Sequence, residues 1–428
     1  MPEPAPLANA GLCTQCGYCL PVCPTYRVEN NELHAPRGRV SILLAVQAGE
    51  LSIEEAAAVL DHCLVCRACH AACPAGVRPA KLAMVVRAMA TPRSPPLFTR
   101  LLHRITNSHP LTARLAALLA FYQRSGLQEK VRRMGLLRLL PALARLESLI
   151  PRHRPALRIP PFPPTGTPDK PRIGLLGGCM ARLFFPEVTP SAAQLLGQWG
   201  EGVVPLEGFG CCGAPFREAG DRPAFLRQAR RTLDAFHAAG DLLAVVCDSS
   251  ICAVTAHSYG RALANDPTYA TLAKNFSAKV QTLSQFLANR LEQWPPTPCD
   301  PGSGAITFLD HCQTRYGLGI IKEPRRLLST LPILYRELTE IESTLFNGCC
   351  GAGGDYQLRH PTRSQLIREQ KLLAIRLSGA DTVVGENPGC LLHIASGLEQ
   401  TGSPVQVRHL ADLLWTAQWL QQPTQKVP

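Results

Sequence analysis

Two stretches decide the architecture: CTQCGYCLPVCP at residues 13–24 and CLVCRACHAACP at residues 63–74. Each is C-x2-C-x2-C-x3-C-P, the spacing of bacterial [4Fe–4S] proteins. Three thiolates two residues apart wrap three corners of one cubane, while the fourth cysteine points away and completes the other cluster. The proline behind it fixes φ and stops the loop from continuing as helix. The pattern assigns Cys13, Cys16, Cys19 and Cys73 to one cluster, and Cys63, Cys66, Cys69 and Cys23 to a second. Structural zinc prefers two short Cys pairs separated by a longer loop, which two complete four-cysteine runs fit poorly.

The segment joining the motifs, HAPRGRVSILLAVQAGELSIEEAAAVLDH (34–62), reads as two helices. The second opens with a capping box, Ser52 followed three residues on by Glu55. A helical connection of this length predicts an all-α ferredoxin-like domain rather than a small hairpin ferredoxin. Arg37 and Arg39 lie between the motifs. They suit either of two roles, offsetting the negative charge of thiolate-bound clusters or solvating a helix N-terminus.

Further along, a cysteine pattern is repeated. Cys179, then Cys211-Cys212-Gly213, then Cys252 is matched by Cys312, Cys349-Cys350-Gly351 and Cys390. The step from the pair's second cysteine to the last one is 40 residues in both copies. Such self-similarity marks an internal duplication. β-Branched runs precede the key cysteines: RIGLLGG before Cys179, LLAVV up to Cys247, AITFLD before Cys312 and DTVVGE before Cys390. Helical stretches such as RSQLIREQKLLAIRLSG alternate with them, predicting an α/β layer in each copy with cysteines at strand ends and loops. The glycine after each pair permits φ > 0 or close backbone approach. Four thiols per repeat suit an iron–sulfur cluster or zinc. Cys247 and Cys299 have no counterpart and read as small buried hydrophobes.

The chain has 428 residues, 46% of them hydrophobic, enough for several packed domains. Its 18 cysteines at repeated spacings in so long a chain indicate metal binding inside the cell rather than a secreted disulfide framework. Four regions follow: 1–90, 91–170, 171–298 and 299–428. The second explains the net charge of +12, since residues 91–170 hold 14 Lys and Arg against 3 Asp and Glu. That region reads as amphipathic helices, LFTRLLHRI and LTARLAALLAFYQR, broken by Pro110, Pro141 and Pro151, and ending in the proline-rich linker 159–171. The N-terminus lacks the basic and apolar regions of a secretory signal. The apolar stretch Leu115 to Tyr122 is far short of the ~18 residues that span a bilayer.

Joined to the doubled Cys-Cys-Gly regions, the ferredoxin motifs make the chain resemble the iron–sulfur subunits of bacterial glycolate oxidase (glycolate dehydrogenase). PRGR (36–39), GCCGA (210–214), GCCGAGG (348–354) and Gly389-Cys390 carry the resemblance over essentially the whole chain. It implies two [4Fe–4S] clusters, an FAD-binding partner that oxidises a 2-hydroxy acid, and transfer of electrons toward a quinone-linked acceptor. Subunits of lactate oxidation, anaerobic glycerol-3-phosphate dehydrogenase and heterodisulfide reductase share the combination. Heterodisulfide reductases end the motif in C-x-x-C, whereas Ser249 and Asn387 stand three residues before Cys252 and Cys390 here. Each repeat is thus one ligand short of that five-cysteine pattern, which suits electron transfer better than disulfide chemistry.

His311 and His393 read as core or surface histidines beside the cysteines. No dinucleotide or P-loop motif is visible, so flavin is expected on a partner and this chain is not expected to catalyse alone. The basic region fits an acidic partner or an anionic membrane surface, placing the chain in the cytoplasm, peripheral to the inner face of the plasma membrane. Nucleic-acid binding is not expected, because the basic stretch has few aromatics for base stacking.

Overall fold

The computed structural model describes residues 9–90, 97–135, 172–197, 202–206, 210–293, 304–338 and 348–419, with isolated positions at 137, 144, 147, 148, 150, 208 and 302. Cys299, Pro141, Pro151 and the proline-rich stretch 159–171 lie outside the described residues.

The N-terminal region is helical. Between the cysteine motifs run α1 (Pro36–Gln47) and α2 (Ile53–Leu60), and behind the second motif α3 (Pro79–Met89). Proline at the first turn starts α1 and α3, where no backbone donor is lost. The capping box starts α2: Glu55 N donates to Ser52 Oγ at 3.2 Å, and Ser52 N to Glu55 Oε2 at 2.9 Å. Val40, Leu43, Leu60, Leu82 and Val86 close one small core, against which the cysteine loops pack.

The basic region forms α4 (Leu97–Thr106), α5 (His109–Arg124) and α6 (Leu127–Met134). Pro110 lies in the first turn of α5, so it opens that helix rather than interrupting it. Part of the charge is structural: Arg132 Nε pairs with Glu147 at 2.8 Å, and its Nη1 reaches Glu399 at 3.3 Å.

Each cysteine-rich repeat is a four-stranded parallel sheet of the same order. The first is β2-β1-β3-β4, with β1 at Ile173–Leu176, β2 at Val203–Pro205, β3 at Ala244–Cys247 and β4 at Val280–Thr282. The second is β6-β5-β7-β8, with β5 at Ala305–Phe308, β6 at Leu334–Tyr335, β7 at Thr382–Gly385 and β8 at Gln406–His409. The central strands β1, β3, β5 and β7 are buried at every residue. Sheets covered on both faces demand such continuous apolar runs.

In the first repeat the helices that have counterparts in the second include α7 (Cys179–Phe184), α8 (Val188–Gly197), α9 (Arg222–Ala238), α10 (Ser250–Ala256) and α11 (Leu283–Ala288). Their counterparts are α12 (Cys312–Gly317), α13 (Lys322–Leu328), α14 (Pro361–Ser378), α15 (Pro388–Gln400) and α16 (Leu410–Trp419). The repeats pack through exchanged equivalents: α8 against α16 and α11 against α13, α7 against α15 and α10 against α12. That exchange is the signature of an approximate two-fold axis. One apolar core crosses it, with Leu195, Leu196 and Leu287 from one side and Leu309, Leu392 and Leu413 from the other. Each such buried side chain contributes ~1.5–3 kcal/mol.

Candidate metal centres

The eight N-terminal cysteines line two cavities, and the partition is crossed. Cys13, Cys16, Cys19 and Cys73 line the first, with Arg37 and Val40. Cys23, Cys63, Cys66 and Cys69 line the second, with Thr25 and Arg39. Cys69 borders both and forms part of the wall between them.

The loops that achieve this share their left-handed positions, although the second runs on into a short helix at Ala68–Ala71 where the first makes turns. Gln15 (φ 55°) and Gly17 (φ 84°) in the first motif match Val65 (φ 53°) and Arg67 (φ 66°) in the second. A β-branched residue in the left-handed region is strained, so the surrounding contacts must hold Val65 there. Val65 N donates to Cys63 Sγ at 3.4 Å. Helix N-termini add donors in matched positions: Arg37 N of α1 to Cys19, and Ala80 N of α3 to Cys69. Burial pushes the Cys19 thiol up to about 11. It raises Cys66 and Cys69 further, with neighbouring cysteines adding to the effect. Such thiolates are costly without a metal to bear their charge. The sulfur donors around each cavity, inward amides and left-handed loop residues fit an iron–sulfur cubane at each site.

The surroundings of the two sites differ. In the first, Cys16 is exposed, and Leu12 and Tyr18 beside it are 55% and 67% exposed. In the second all four cysteines are buried. Arg37 and Arg39 divide between the sites because residues two apart on a helix face opposite ways. Arg37 lies at the first site, donating to Gln15 O at 3.1 Å and to Glu32 at 2.7 and 3.0 Å. Arg39 is 3% exposed at the second; its Nη2 donates to Thr25 Oγ1 at 2.8 Å and its Nη1 lies 3.9 Å from Cys23 Sγ.

In the repeats, Cys179, Cys211, Cys212 and Cys252 come together as a chain of interacting thiols in that order. Cys312, Cys349, Cys350 and Cys390 do the same. Within each chain the contacts raise the second thiol, Cys211 or Cys349, and pull the third, Cys212 or Cys350, well below its ordinary value. Gly213 (φ 86°) and Gly351 (φ 91°) turn the chain behind the pairs, and a Cβ on Gly351 would lie 2.6 Å from Ser364 O. Only the pairs lie in loops. Cys179 and Cys312 open α7 and α12, while Cys252 and Cys390 occupy the first turns of α10 and α15. The expectation of strand ends and loops is corrected to that extent, because the helices start directly at the carboxyl ends of the strands. These ends flank the switch point between β1 and β3, or β5 and β7, where open α/β sheets bind ligands. Ser249 and Asn387 are N-cap residues, and Asn387 Oδ1 accepts from Gly389 N at 3.1 Å. Cys247 is fully buried at the end of β3. Among the described residues no group of three or more His, Cys, Asp or Glu side chains is gathered for a single metal ion.

The second repeat's site has more polar company. Burial holds His311 and His393 down at about 4, hence neutral. His311 Nε2 accepts from Glu386 N at 2.6 Å, and His393 Nε2 bonds Ser364 Oγ at 3.1 Å. Lys371 of α14 is 1% exposed and pushed down to about 8 by burial, against the pull of Asp310 and Cys350. Counted from the cysteine pair, the first repeat has Leu233 where the second has Lys371. Sequence reading passed over Lys371, because a lysine in an amphipathic helix looks solvated; its lone signal was that mismatch between the copies.

The second N-terminal site is pressed against the second repeat. Leu64, Cys66 and Ala68 share an apolar cluster with Cys349, Tyr356 and Ile367, and Cys312 packs on its edge. The Cys66 thiol is raised by burial and by Cys312. A Cβ on Gly353 would lie 2.5 Å from a Leu64 methyl, and one on Gly317 2.7 Å from Arg67. Gln313 bridges three modules, donating to Val65 O at 2.9 Å and to Glu218 Oε1 of the first repeat at 3.0 Å. At the rim Arg359 pairs with Asp61, Arg363 with Glu29, and His360 lies 3.0 Å from Asp61.

Comparison with known proteins agrees with this anatomy. The 4Fe-4S dicluster domain family matches residues 9–77, and the linker region of the glycolate oxidase iron-sulfur subunit matches 100–150. The cysteine-rich domain family matches twice, at 173–255 and 306–395. A probable glycolate oxidase iron-sulfur subunit of Bacillus subtilis (strain 168) is 32% identical, over 95% of this chain and 93% of its own length. The glycolate oxidase iron-sulfur subunit of Escherichia coli (strain K12) is 29% identical over 94% and 92%. Lactate utilization protein A of Halalkalibacterium halodurans is 29% identical over 57% of this chain and 96% of its own length. A hypothetical protein from Helicobacter pylori shares the fold over 93% of this chain and 70% of its own, at TM-score 0.56 and 11% identity. With its dicluster region, linker and two cysteine-rich domains, the chain belongs to the family of glycolate oxidase iron–sulfur subunits.

Proposed function

We propose that this chain is the iron–sulfur electron-transfer subunit of a flavoprotein-containing 2-hydroxy acid dehydrogenase, with glycolate the first donor to test and lactate the second. The observation that carries this is the crossed sorting of eight cysteines into an exposed and a buried cavity, the buried one against the second repeat. The ligand sets are Cys13, Cys16, Cys19 and Cys73 for one [4Fe–4S] cluster, and Cys63, Cys66, Cys69 and Cys23 for the other, in an all-α ferredoxin-like domain spanning 1–90. Such clusters, when bound, supply one-electron transfer. The chain's part is to hold the two sites within one small core and to exclude water from the second.

The repeats, 171–298 and 299–428, carry Cys179, Cys211, Cys212 and Cys252, and Cys312, Cys349, Cys350 and Cys390, as ligands for a further cluster or zinc. An FAD-bearing partner docks where Cys16, Tyr18 and Leu12 bring the first site to the surface. Electrons pass onward to a quinone-linked acceptor. The basic region 91–170 faces the anionic inner surface of the plasma membrane, presenting Leu111, Leu118 and Phe121 with its arginines. Among the described residues no helix is long and apolar enough to cross a membrane.

The test is reconstitution under anaerobic conditions. The chain alone should not oxidise glycolate or lactate, and adding the flavoprotein should restore reduction of a quinone analogue. Oxidation of either acid by the isolated chain would contradict the proposal.

A further inference from the structure

The two N-terminal sites are built alike, which isolates what distinguishes them. Their loops share the same left-handed positions, and each receives a backbone N–H from the first turn of a helix that starts with proline. Counted from those prolines, Arg37 corresponds to Ala80 and Arg39 to Leu82. The equivalence breaks at the last pair. Leu82 is a buried aliphatic of the small core, whereas Arg39 reaches from α1 across to the second site's cysteines.

The charges then differ in kind. At the exposed site the Arg37 guanidinium is held fork to fork by Glu32, which offsets its charge, and water screens what is left. At the buried site Arg39 hydrogen-bonds only to neutral Thr25 and toward sulfur, and its Nε has no partner. Arg67 lines the same cavity. Burial disfavours the more negative, reduced form of a cluster, while a cation favours it. A buried cation acts through the same low dielectric as that penalty, so its effect is not screened away.

We propose that Arg39 fixes the order of reduction potentials at the two N-terminal sites, making the buried site the more easily reduced, so that an electron arriving at the exposed face is drawn inward. The balance is simple: one electron leaves the reduced exposed site and reduces the oxidised buried one, with no bond or proton exchanged. The inference rests on the reading of both sites as [4Fe–4S] centres.

The experiment is an EPR-monitored redox titration of the anaerobically purified full chain, wild type against Arg39→Gln and Arg37→Gln, with Cys16→Ser identifying the exposed site's component. Wild type should show two components, the higher belonging to the buried site. Arg39→Gln should move that component to lower potential and close most of the gap, while Arg37→Gln leaves the gap nearly intact. An unchanged gap in Arg39→Gln, or a shift confined to the exposed component, overturns the inference. If Arg39→Gln does not retain both clusters, Arg39→Lys decides: a gap near the wild-type value supports the inference, and a closed gap overturns it. Absence of two cubane components in wild type would instead sink the underlying assignment, and is seen before any variant is compared.

Discussion

The first and second N-terminal sites begin from one sequence pattern and the same left-handed loop positions, and end in opposite surroundings. The first opens to solvent at Cys16; the second is closed off by the second repeat, with Leu64 against Gly353 and Cys66 in a common cluster with Cys349. The local motif determines how sulfur is gathered. The rest of the chain determines what each site faces, and that difference turns two equal sites into an outside and an inside.

The largest break in the comparison should come from removing one ligand at each site. Cys66→Ser removes a buried donor where the N-terminal region meets the second repeat, so loss of the metal there is also loss of folding energy, on the order of several kcal/mol. Cys16→Ser acts at a solvent-facing corner and should lower the melting temperature far less. Anaerobic thermal unfolding of both holoproteins checks this, and equal losses would remove the distinction between outside and inside.

Next in size is Gln313→Ala. It leaves Val65 O and the Glu218 carboxyl without their donor at the meeting point of three modules, costing about 1–3 kcal/mol. Denaturant titration should show the loss.

Acid probes the rim of the same contact. Burial alone would raise Asp61, but His360 and the charge of Arg359 override it and hold the carboxyl below its ordinary range. A folded value below the unfolded one gives stability that is full above the unfolded value and lost as pH falls through the folded one. Melting temperature should therefore fall below about pH 4 in wild type. Asp61→Asn should start lower at pH 7, by about 1 kcal/mol for a partly exposed pair, and show a shallower acid slope. Parallel slopes would remove Asp61 from the account. The smallest effect is Ser52→Ala, which loses the α2 cap far from the contact and costs ~1 kcal/mol or less without altering either site.

Much of this was legible in the sequence because spacing carries it. The C-x2-C-x2-C-x3-C-P runs mark the region that matches a 4Fe-4S dicluster domain, and the runs before Cys179, Cys312 and Cys390 read as strands because a sheet buried on both faces tolerates little else. Ser52 and Glu55 announced their helix start directly. What was not legible depends on distant contacts. Which arginine of PRGR serves which site follows only once α1 is placed between them. The left-handed Val65 contradicts its own preference and is held by neighbours. The burial of Lys371 and the bridge through Gln313 arise where modules meet, and no local pattern encodes a meeting.

The most direct test of the central claim is to count clusters by iron and sulfide quantitation with low-temperature EPR, on wild type and Cys66→Ser purified without oxygen. The account predicts at least two [4Fe–4S] clusters per wild-type chain and the loss of one in the variant, with the exposed site's signal retained. A colourless wild-type chain carrying zinc in place of iron would contradict it.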